Sequence, residues 1–352
     1  MGVTVEDYYA DWDYPPWHSV TISWTVPNNN GRPITNYYIE WTSNGGTGPS
    51  GGTWANSTTT SLTTSVPDRG YTFSFRVLAA NAAGNGSYSV ASDLLVCPFA
   101  YAKVKPSTTY GTSEFCVAQF EMKNVGGVAT SQQSALPWVN ISRDGAVTAC
   151  RNLGSRYDLI TNAQWQVTAR EIENRLENWS NYSQSGTNYI NRGHSDGVPN
   201  SRLAVTDGSD PCNGTGQTSC ESRTSAHFAQ KRTHTLKHGQ DIWDLAGNVW
   251  EWVLDDNNAA QGVDTFVALE TGWDATDKYN WGPEGTYTYK TSTGQYGGLG
   301  RARLNGSGGA IARGDYFNES ANYYSGVFAS ALLYGPSAET PYFGFRCVLN
   351  RW

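Results

Sequence analysis

In the N-terminal part of the chain, apolar and polar positions alternate in short runs. Val20–Trp24 (VTISW) alternates along its length, Tyr37–Trp41 (YYIEW) is aromatic and β-branched, and Tyr71–Ala80 (YTFSFRVLAA) holds a period of two for most of its length. A period of two places successive side chains on opposite faces of a strand. Turn formers separate the runs at Pro27–Pro33, Thr42–Gly48 and Pro67–Gly70, and no helical period interrupts them. Short strands at this spacing predict an all-β, two-sheet sandwich over residues 1–95, closed by Ser87–Val96.

From residue 96 the pattern changes. The stretch SRDGAVTACRNLGS offers Ser142 as an N-cap and Gly154 as a C-cap. The stretch TNAQWQVTAREIENRLENW offers Thr161 as a cap, followed by Trp165, Val167 and Ile172 at roughly helical spacing. Beyond about residue 183 the chain is rich in Gly, Asn, Ser and Thr with few periodic segments, and it shows no internal repeat. The expectation for 96–352 is an α+β domain with much irregular structure. Long irregular connections in a folded domain carry function or are stapled by disulfides.

Composition narrows the class. The chain has 352 residues, enough for two domains. Only 16% are charged while 13% are aromatic, with 14 Trp, 21 Tyr and 38 Gly. That balance fits a protein of the extracellular space, a cell surface or a virion surface. The net charge is −7 with no basic run, which argues against a nucleic-acid partner. No apolar stretch reaches the ~18 residues of a membrane span, so no membrane insertion is expected. The opening MGVTVEDYY lacks the basic and apolar regions of a secretory signal. The expectation is a trimmed chain or one exported by another route.

The six cysteines are Cys97, Cys116, Cys150, Cys212, Cys220 and Cys347. None forms a C-x-x-C pair, which argues against a zinc ribbon or a thioredoxin-like redox site. An even number in a surface-like chain favours disulfides, with buried thiols as the alternative. Cys212 and Cys220 bracket a loop short enough to close locally. The histidines are His18, His194, His227, His234 and His238. The last two could share a helical face, but with no third ligand nearby they read as solvated or backbone-bonded rather than metal-bound. There is no G-x-S-x-G elbow, and the pair Asp255–Asp256 reads as a solvated loop.

Two resemblances follow from particular stretches. PPWHSVTISWTVP, with Trp24 as a core tryptophan, and GYTFSFRVLAANAAGNGSYS resemble a fibronectin type III (Ig-like) domain. Such modules usually act as spacers. IWDLAGNVWEW (Ile242–Trp252), ARGDYFNES (Ala312–Ser320) and YFGFRC (Tyr342–Cys347) together resemble the C-type-lectin-like fold. The version resembled is that shared by formylglycine-generating enzymes and the variable proteins of diversity-generating retroelements. It covers about 97–352. This resemblance implies a disulfide between Cys150 and Cys347, and it leaves Cys97–Cys116 and Cys212–Cys220 as local staples. It also implies calcium binding by Asn248 and Glu251 with backbone carbonyls. Two oxygen-bearing side chains are too few to define such a site. The residues themselves favour Asn248 in a tight turn after Gly247 and Glu251 bonded to backbone. Trp250 and Trp252 would face one way on a strand and be buried as scaffold.

The resembled enzymes hold copper on paired cysteines after an RGG strand. Here Arg313–Gly326 (RGDYFNESANYYSG) contains no cysteine, and Asp315 replaces the last glycine of that pattern. Because a soft metal needs thiolates, that copper chemistry is not expected; with no other catalytic set among the histidines, carboxylates or elbow motifs, the chain is read as a non-enzyme with no catalytic residue. An enzyme with other chemistry on this fold is one alternative, and an undiversified carbohydrate-binding lectin is another. The lectin calcium signatures Glu-Pro-Asn and Trp-Asn-Asp are absent. The tail instead resembles the variable region of retroelement-diversified proteins, over about 312–347. With GVFA at Gly326–Ala329, PS at Pro336–Ser337 and GFRC at Gly344–Cys347, the mutable Asn positions of that family fall on Ala331, Leu333, Tyr334, Ala338, Thr340 and Tyr342. Asp315, Tyr316, Phe317, Glu319, Tyr323 and Tyr324 complete the expected ligand-binding set. Tyrosine suits such a surface, being large, rigid and amphipathic. Phe328 and Phe345 are read as core. The implied function is a surface-displayed receptor-binding protein whose partner is a protein or glycan on another cell or virus.

Overall fold

The fold was described from a computed structural model. It describes residues 1–8, 17–44, 51–67, 70–184, 188–208, 228–256, 261–267, 281–284, 298–300, 302–306, 309–318 and 325–351. The chain divides into two compact units, Met1–Phe99 with Arg351–Trp352, and Ala100–Asn350.

The first unit contains β1 (Val3–Tyr8), β2 (Trp17–Trp24), β3 (Ile34–Asn44), β4 (Gly51–Ser57), β5 (Ser61–Pro67), β6 (Thr72–Asn81), β7 (Gly84–Asn85) and β8 (Ser92–Leu95). One sheet runs β1-β2-β5 and the other β4-β3-β6-β7, with β8 pairing β6. The long pair is β3 with β6, antiparallel, with Ile39 opposite Val77. Alternation in β6 buries Phe73, Phe75 and Val77, which meet Val20, Ile22 and Trp24 of β2 in one core. Trp24 packs edge-on against Tyr37 at 5.3 Å. This is a fibronectin type III sandwich.

The second unit contains β9 (Tyr101–Val104), β10 (Phe115–Ala118), β11 (Met122–Val125), β12 (Val128–Ser131), α1 (Arg143–Arg151), β13 (Tyr157–Leu159), α2 (Asn162–Glu173), β14 (Thr233–Thr235), β15 (Asp241–Trp243) and β16 (Trp250–Asp256). It continues with β17 (Gln261–Val267), β18 (Ala302–Gly306), β19 (Ala310–Arg313), β20 (Ser330–Tyr334), β21 (Phe343–Phe345) and β22 (Cys347–Asn350). A four-stranded sheet runs β13-β22-β10-β9 and a six-stranded sheet runs β17-β18-β20-β19-β16-β21. The pairs β11-β12 and β14-β15 form small hairpins.

Both helices begin at the expected caps. The Ser142 hydroxyl accepts from the Gly145 N–H, and Thr161 forms a reciprocal capping box with Gln164. The first helix stops earlier than expected, with Asn152 rather than Gly154 as its C-cap. Trp165 on α2 is fully buried in the main core, and its Nε1–H donates to the Val327 carbonyl at 2.8 Å. Phe328 lies in the same core, and Phe345 is also fully buried.

Cys150 of α1 and Cys347 of β22 are joined by a disulfide across 197 positions, with their Cα atoms 5.4 Å apart. This is the pairing the lectin-like resemblance implies. Cys97 and Cys116 are each disulfide-bonded, while Cys212 and Cys220 lie outside the described residues. Among the described residues no helix is long and apolar enough to cross a membrane.

Candidate recognition site

The chain returns to β16 twice after leaving it, and this brings distant aromatics together. Strand β21 runs parallel to β16, with Phe343 beside Trp250 and Phe345 beside Trp252. Trp250 and Trp252 sit two positions apart on one strand, so both rings face the same way. Both stack on Phe343, at 6.3 Å and 4.4 Å between centroids. Trp252 is fully buried, and its indole N–H donates to the Ile141 carbonyl at 3.1 Å. Tyr334, at the end of β20, meets Phe343 edge-on at 4.8 Å and stays 40% exposed.

A second aromatic group adjoins the first. Buried Phe317 stacks on the His194 ring, with 6.2 Å between centroids and 14° between planes. Tyr316 packs edge-on against Phe317 at 5.4 Å and against Tyr342 at 5.2 Å. Tyr342 is 43% exposed. The Trp250 N–H donates to the Tyr342 carbonyl at 2.8 Å, which ties the two groups into one patch.

Local backbone conformation makes this possible. Gly247 has φ +80°, and a Cβ there would lie 2.5 Å from the His194 carbonyl oxygen. Asn248 follows, also left-handed at φ 61°. Its N–H donates to the His194 carbonyl at 2.7 Å, and its own carbonyl accepts from Phe317 at 3.0 Å. Asp315 adopts φ 73°, a glycine-like conformation, and its Oδ1 accepts the Tyr316 N–H at 2.8 Å. A short polar side chain that bonds its neighbouring backbone tolerates that region better than others do. The turn before β21 is pinned as well. The Asn140 and Arg143 N–H groups donate to the carbonyls of Thr340 (2.9 Å) and Pro336 (3.0 Å), and the Ala338 N–H to that of Gly335 (3.0 Å).

Beneath the patch lies a buried polar network. Arg346 reaches both carboxylate oxygens of Glu251, at 2.6 and 3.0 Å, and donates to the Ala118 and Trp243 carbonyls. Asn248 Oδ1 accepts the Leu203 N–H at 2.7 Å, while its Nδ2 donates to Glu121 at 2.6 Å and to the Leu203 carbonyl at 3.1 Å. Arg232 forms a bidentate pair with Asp244. Lys123 Nζ lies 3.7 Å from Glu121. Burial raises the Glu121 carboxyl and lowers the Lys123 ammonium, so both are pushed toward their neutral forms.

This network corrects the calcium reading of Asn248 and Glu251. The Asn248 oxygen is occupied by a main-chain N–H, and both Glu251 oxygens by a guanidinium, so neither is presented to a cation. Glu251 also bonds a side chain rather than backbone. Among the described residues no cluster of three or more His, Cys, Asp or Glu could hold a metal. His234 is buried on strand β14 and its Nε2 meets the Asn191 carbonyl at 2.7 Å, so it belongs to no helical face. Asp256 pairs with Arg143 at 2.8 Å, and Asp255 accepts the N–H of Asn162 at the start of α2, so neither is merely solvated.

The expected ligand-binding set separates into layers. Tyr334 and Tyr342 are exposed, and Tyr316, Ala338 and Thr340 are partly exposed. Asp315, Phe317 and Ala331 are buried, a correction to their reading as contact residues. Phe317 is held under Tyr316 by His194, and Ala331 lies in β20 opposite Ala312 and Arg303. Leu333 lies on β20. Glu319, Tyr323 and Tyr324 fall outside the described residues. Trp250 is only half-buried, so it belongs to the patch more than to the scaffold. Phe343 and His194 were not anticipated. Nothing local marks them, because their roles come from parallel pairing and a long-range ring stack.

The architecture defines a fibronectin type III sandwich followed by a C-type-lectin-like domain. Residues 56–351 match the sulfatase-modifying factor enzyme 1-like domain, and the chain belongs to that family. Residues 16–93 match the fibronectin type III domain. The two matches overlap over 56–93, which includes β5 and β6 of the sandwich. No curated protein matches the chain. Among solved structures, the sixth fibronectin type III domain of human fibronectin type III domain containing protein 3 is 26% identical, covering 23% of this chain and 73% of its own, with a TM-score of 0.20. The Major Tropism Determinant I1 variant is 14% identical, covering 90% of this chain and 73% of its own, with a TM-score of 0.33. The U1 variant is 15% identical over the same shares, with a TM-score of 0.32.

Proposed function

We propose that this chain is a surface-displayed recognition protein. The fibronectin-type unit acts as a spacer, and the lectin-like unit carries a ligand site diversified at Leu333, Tyr334, Ala338, Thr340 and Tyr342. The observation that carries this reading is the exposure of Tyr334 and Tyr342 over a buried floor of Trp252, Phe343 and Phe317. Rigid aromatic side chains with few torsions make contacts at low entropic cost, and a fixed floor keeps them in place when their neighbours change. The ligand would be a protein or glycan on another cell or virus. A non-enzymatic role is supported by the absence of cysteine from Arg313–Gly326, where the copper chemistry of the resembled enzymes requires it.

Sequencing this locus across a population tests the diversification. Substitutions should concentrate at those five codons, and a nearby near-copy of the 3′ end should differ only at adenines beside a reverse transcriptase gene. Substitutions spread evenly over 312–347, with no such repeat, would overturn it.

A further inference from the structure

A cavity of about 480 Å³ lies beside the C-terminal half of α2 and shares no residue with the aromatic patch. Its size is that of a small-molecule pocket. Its wall carries four cations, Lys105, Arg170, Arg175 and Lys237, against two acids, Glu171 and Glu284. This surplus stands out on a chain whose net charge is −7.

The acids offset this surplus only in part. The Glu171 carboxylate is engaged by main chain, accepting the N–H groups of Lys105 at 3.1 Å and Lys237 at 3.4 Å. Glu284 is 3.8 Å from Arg170, and Arg175 is paired at 2.9 Å with Glu177, which lies outside the wall. The Lys105 and Lys237 ammonium groups form no ion pair within 4 Å among the described residues, but both act at longer range on the Glu171 carboxylate, opposing the rise that its burial causes. The rest of the wall is polar and aromatic, with the Ser107 and Thr109 hydroxyls, the Asn174 amide and the Tyr110 ring. Such a wall suits a ligand rich in hydroxyls and bearing one negative group.

We propose that this cavity binds a carboxylate-bearing saccharide unit, a uronate or a sialate, with the Lys105 and Lys237 ammonium groups on its carboxylate and the neutral polar wall on its hydroxyls. Neither the aromatic patch nor its diversification enters this proposal.

The test is isothermal titration of the whole chain with glucuronate, N-acetylneuraminate, glucose, acetate and inorganic phosphate. At least one acidic sugar should bind, at least about tenfold tighter than glucose, acetate or phosphate, and its binding should weaken with added salt. Lys105→Gln and Lys237→Gln should each lower that affinity by about tenfold, the scale of one charge-assisted contact, without moving the melting temperature. Glucose binding as tightly as the acids would overturn the proposal, as would acetate or phosphate doing so. Full affinity in both lysine variants, or no binding by either acidic sugar, would overturn it equally.

Discussion

Trp252 and Tyr334 both lie against the ring of Phe343, yet one is fully buried and the other is 40% exposed. The same division repeats beside them, where buried Phe317 supports exposed Tyr342. The inner tier is bonded to the fold at every step: an indole N–H to Ile141, a main-chain N–H to Asn248, and a disulfide from β22 back to α1. The outer tier rests on rings and on its own backbone. Burial therefore fixes where the outer tyrosines stand while leaving their identity weakly constrained, and under the proposed function stability and recognition fall on different residues.

The strongest way to break this arrangement is to release the inner tier from α1. Replacing both Cys150 and Cys347 with serine opens a loop spanning 197 positions. The chain-entropy model assigns such a closure ~5 kcal/mol. Chemical denaturation should show a loss on that scale in the lectin-like unit. A loss under about 1 kcal/mol would mean that packing alone holds β22 against α1.

A second test stays within the rings. Trp252→Ala should cost about 3–5 kcal/mol, as for a fully buried aromatic that leaves a cavity. Trp250→Ala should cost clearly less, because Trp250 is only half-buried on the same face of β16. Equal losses in urea melts would mean that the two rings share one tier.

A third test uses acid. Burial lowers the His234 imidazole from 6.5 to about 4, and the Nε2 contact with the Asn191 carbonyl only partly offsets that. The folded state thus binds fewer protons than the unfolded state between those values. This contribution is fully present above about pH 6.5 and is lost as pH falls toward 4, by about 3 kcal/mol in all. Glu121, raised by burial, contributes the opposite slope, so the effect is read as a difference between proteins. His234→Gln keeps an amide N–H for Asn191 and cannot titrate. Urea midpoints should therefore fall less steeply from pH 7 to pH 4.5 in the variant than in the parent. Parallel curves would show that His234 does not drive the acid response.

What was legible in the sequence followed from local chemistry. Ser142 and Thr161 cap helices because a hydroxyl meets an N–H three residues on. Strand β6 was visible in its period of two. The bonds that close the inner tier were not visible. Glu251 meets Arg346 across 95 positions, Asn248 meets Glu121 across 127, and no local pattern marks either pair. For the same reason Asp315, Phe317 and Ala331 looked like surface residues. Polar or small neighbours say nothing about a strand or ring arriving from elsewhere to cover them. The exposed tyrosines were easier, because the framework GVFA, PS and GFRC on either side of Tyr334 and Tyr342 marks them as mutable positions of the resembled variable region.

The smallest expected effect is the one that most sharpens the comparison. Tyr316, Tyr334 and Tyr342 each touch a ring below, but their outer faces meet solvent, so little cavity forms when they are shortened. Changing Tyr334 or Tyr342 to serine should move stability by about 0.5 kcal/mol or less, the range of surface substitutions. Tyr316→Ser should cost somewhat more, since Tyr316 is more covered and packs on two rings. If these residues form the recognition surface, one or two of the changes should weaken ligand binding by about 2 kcal/mol or more. The thermal melt needs no knowledge of the ligand. Should Tyr334→Ser and Tyr342→Ser unfold the unit as readily as Trp252→Ala, the two tiers are one core, and the recognition surface must lie elsewhere.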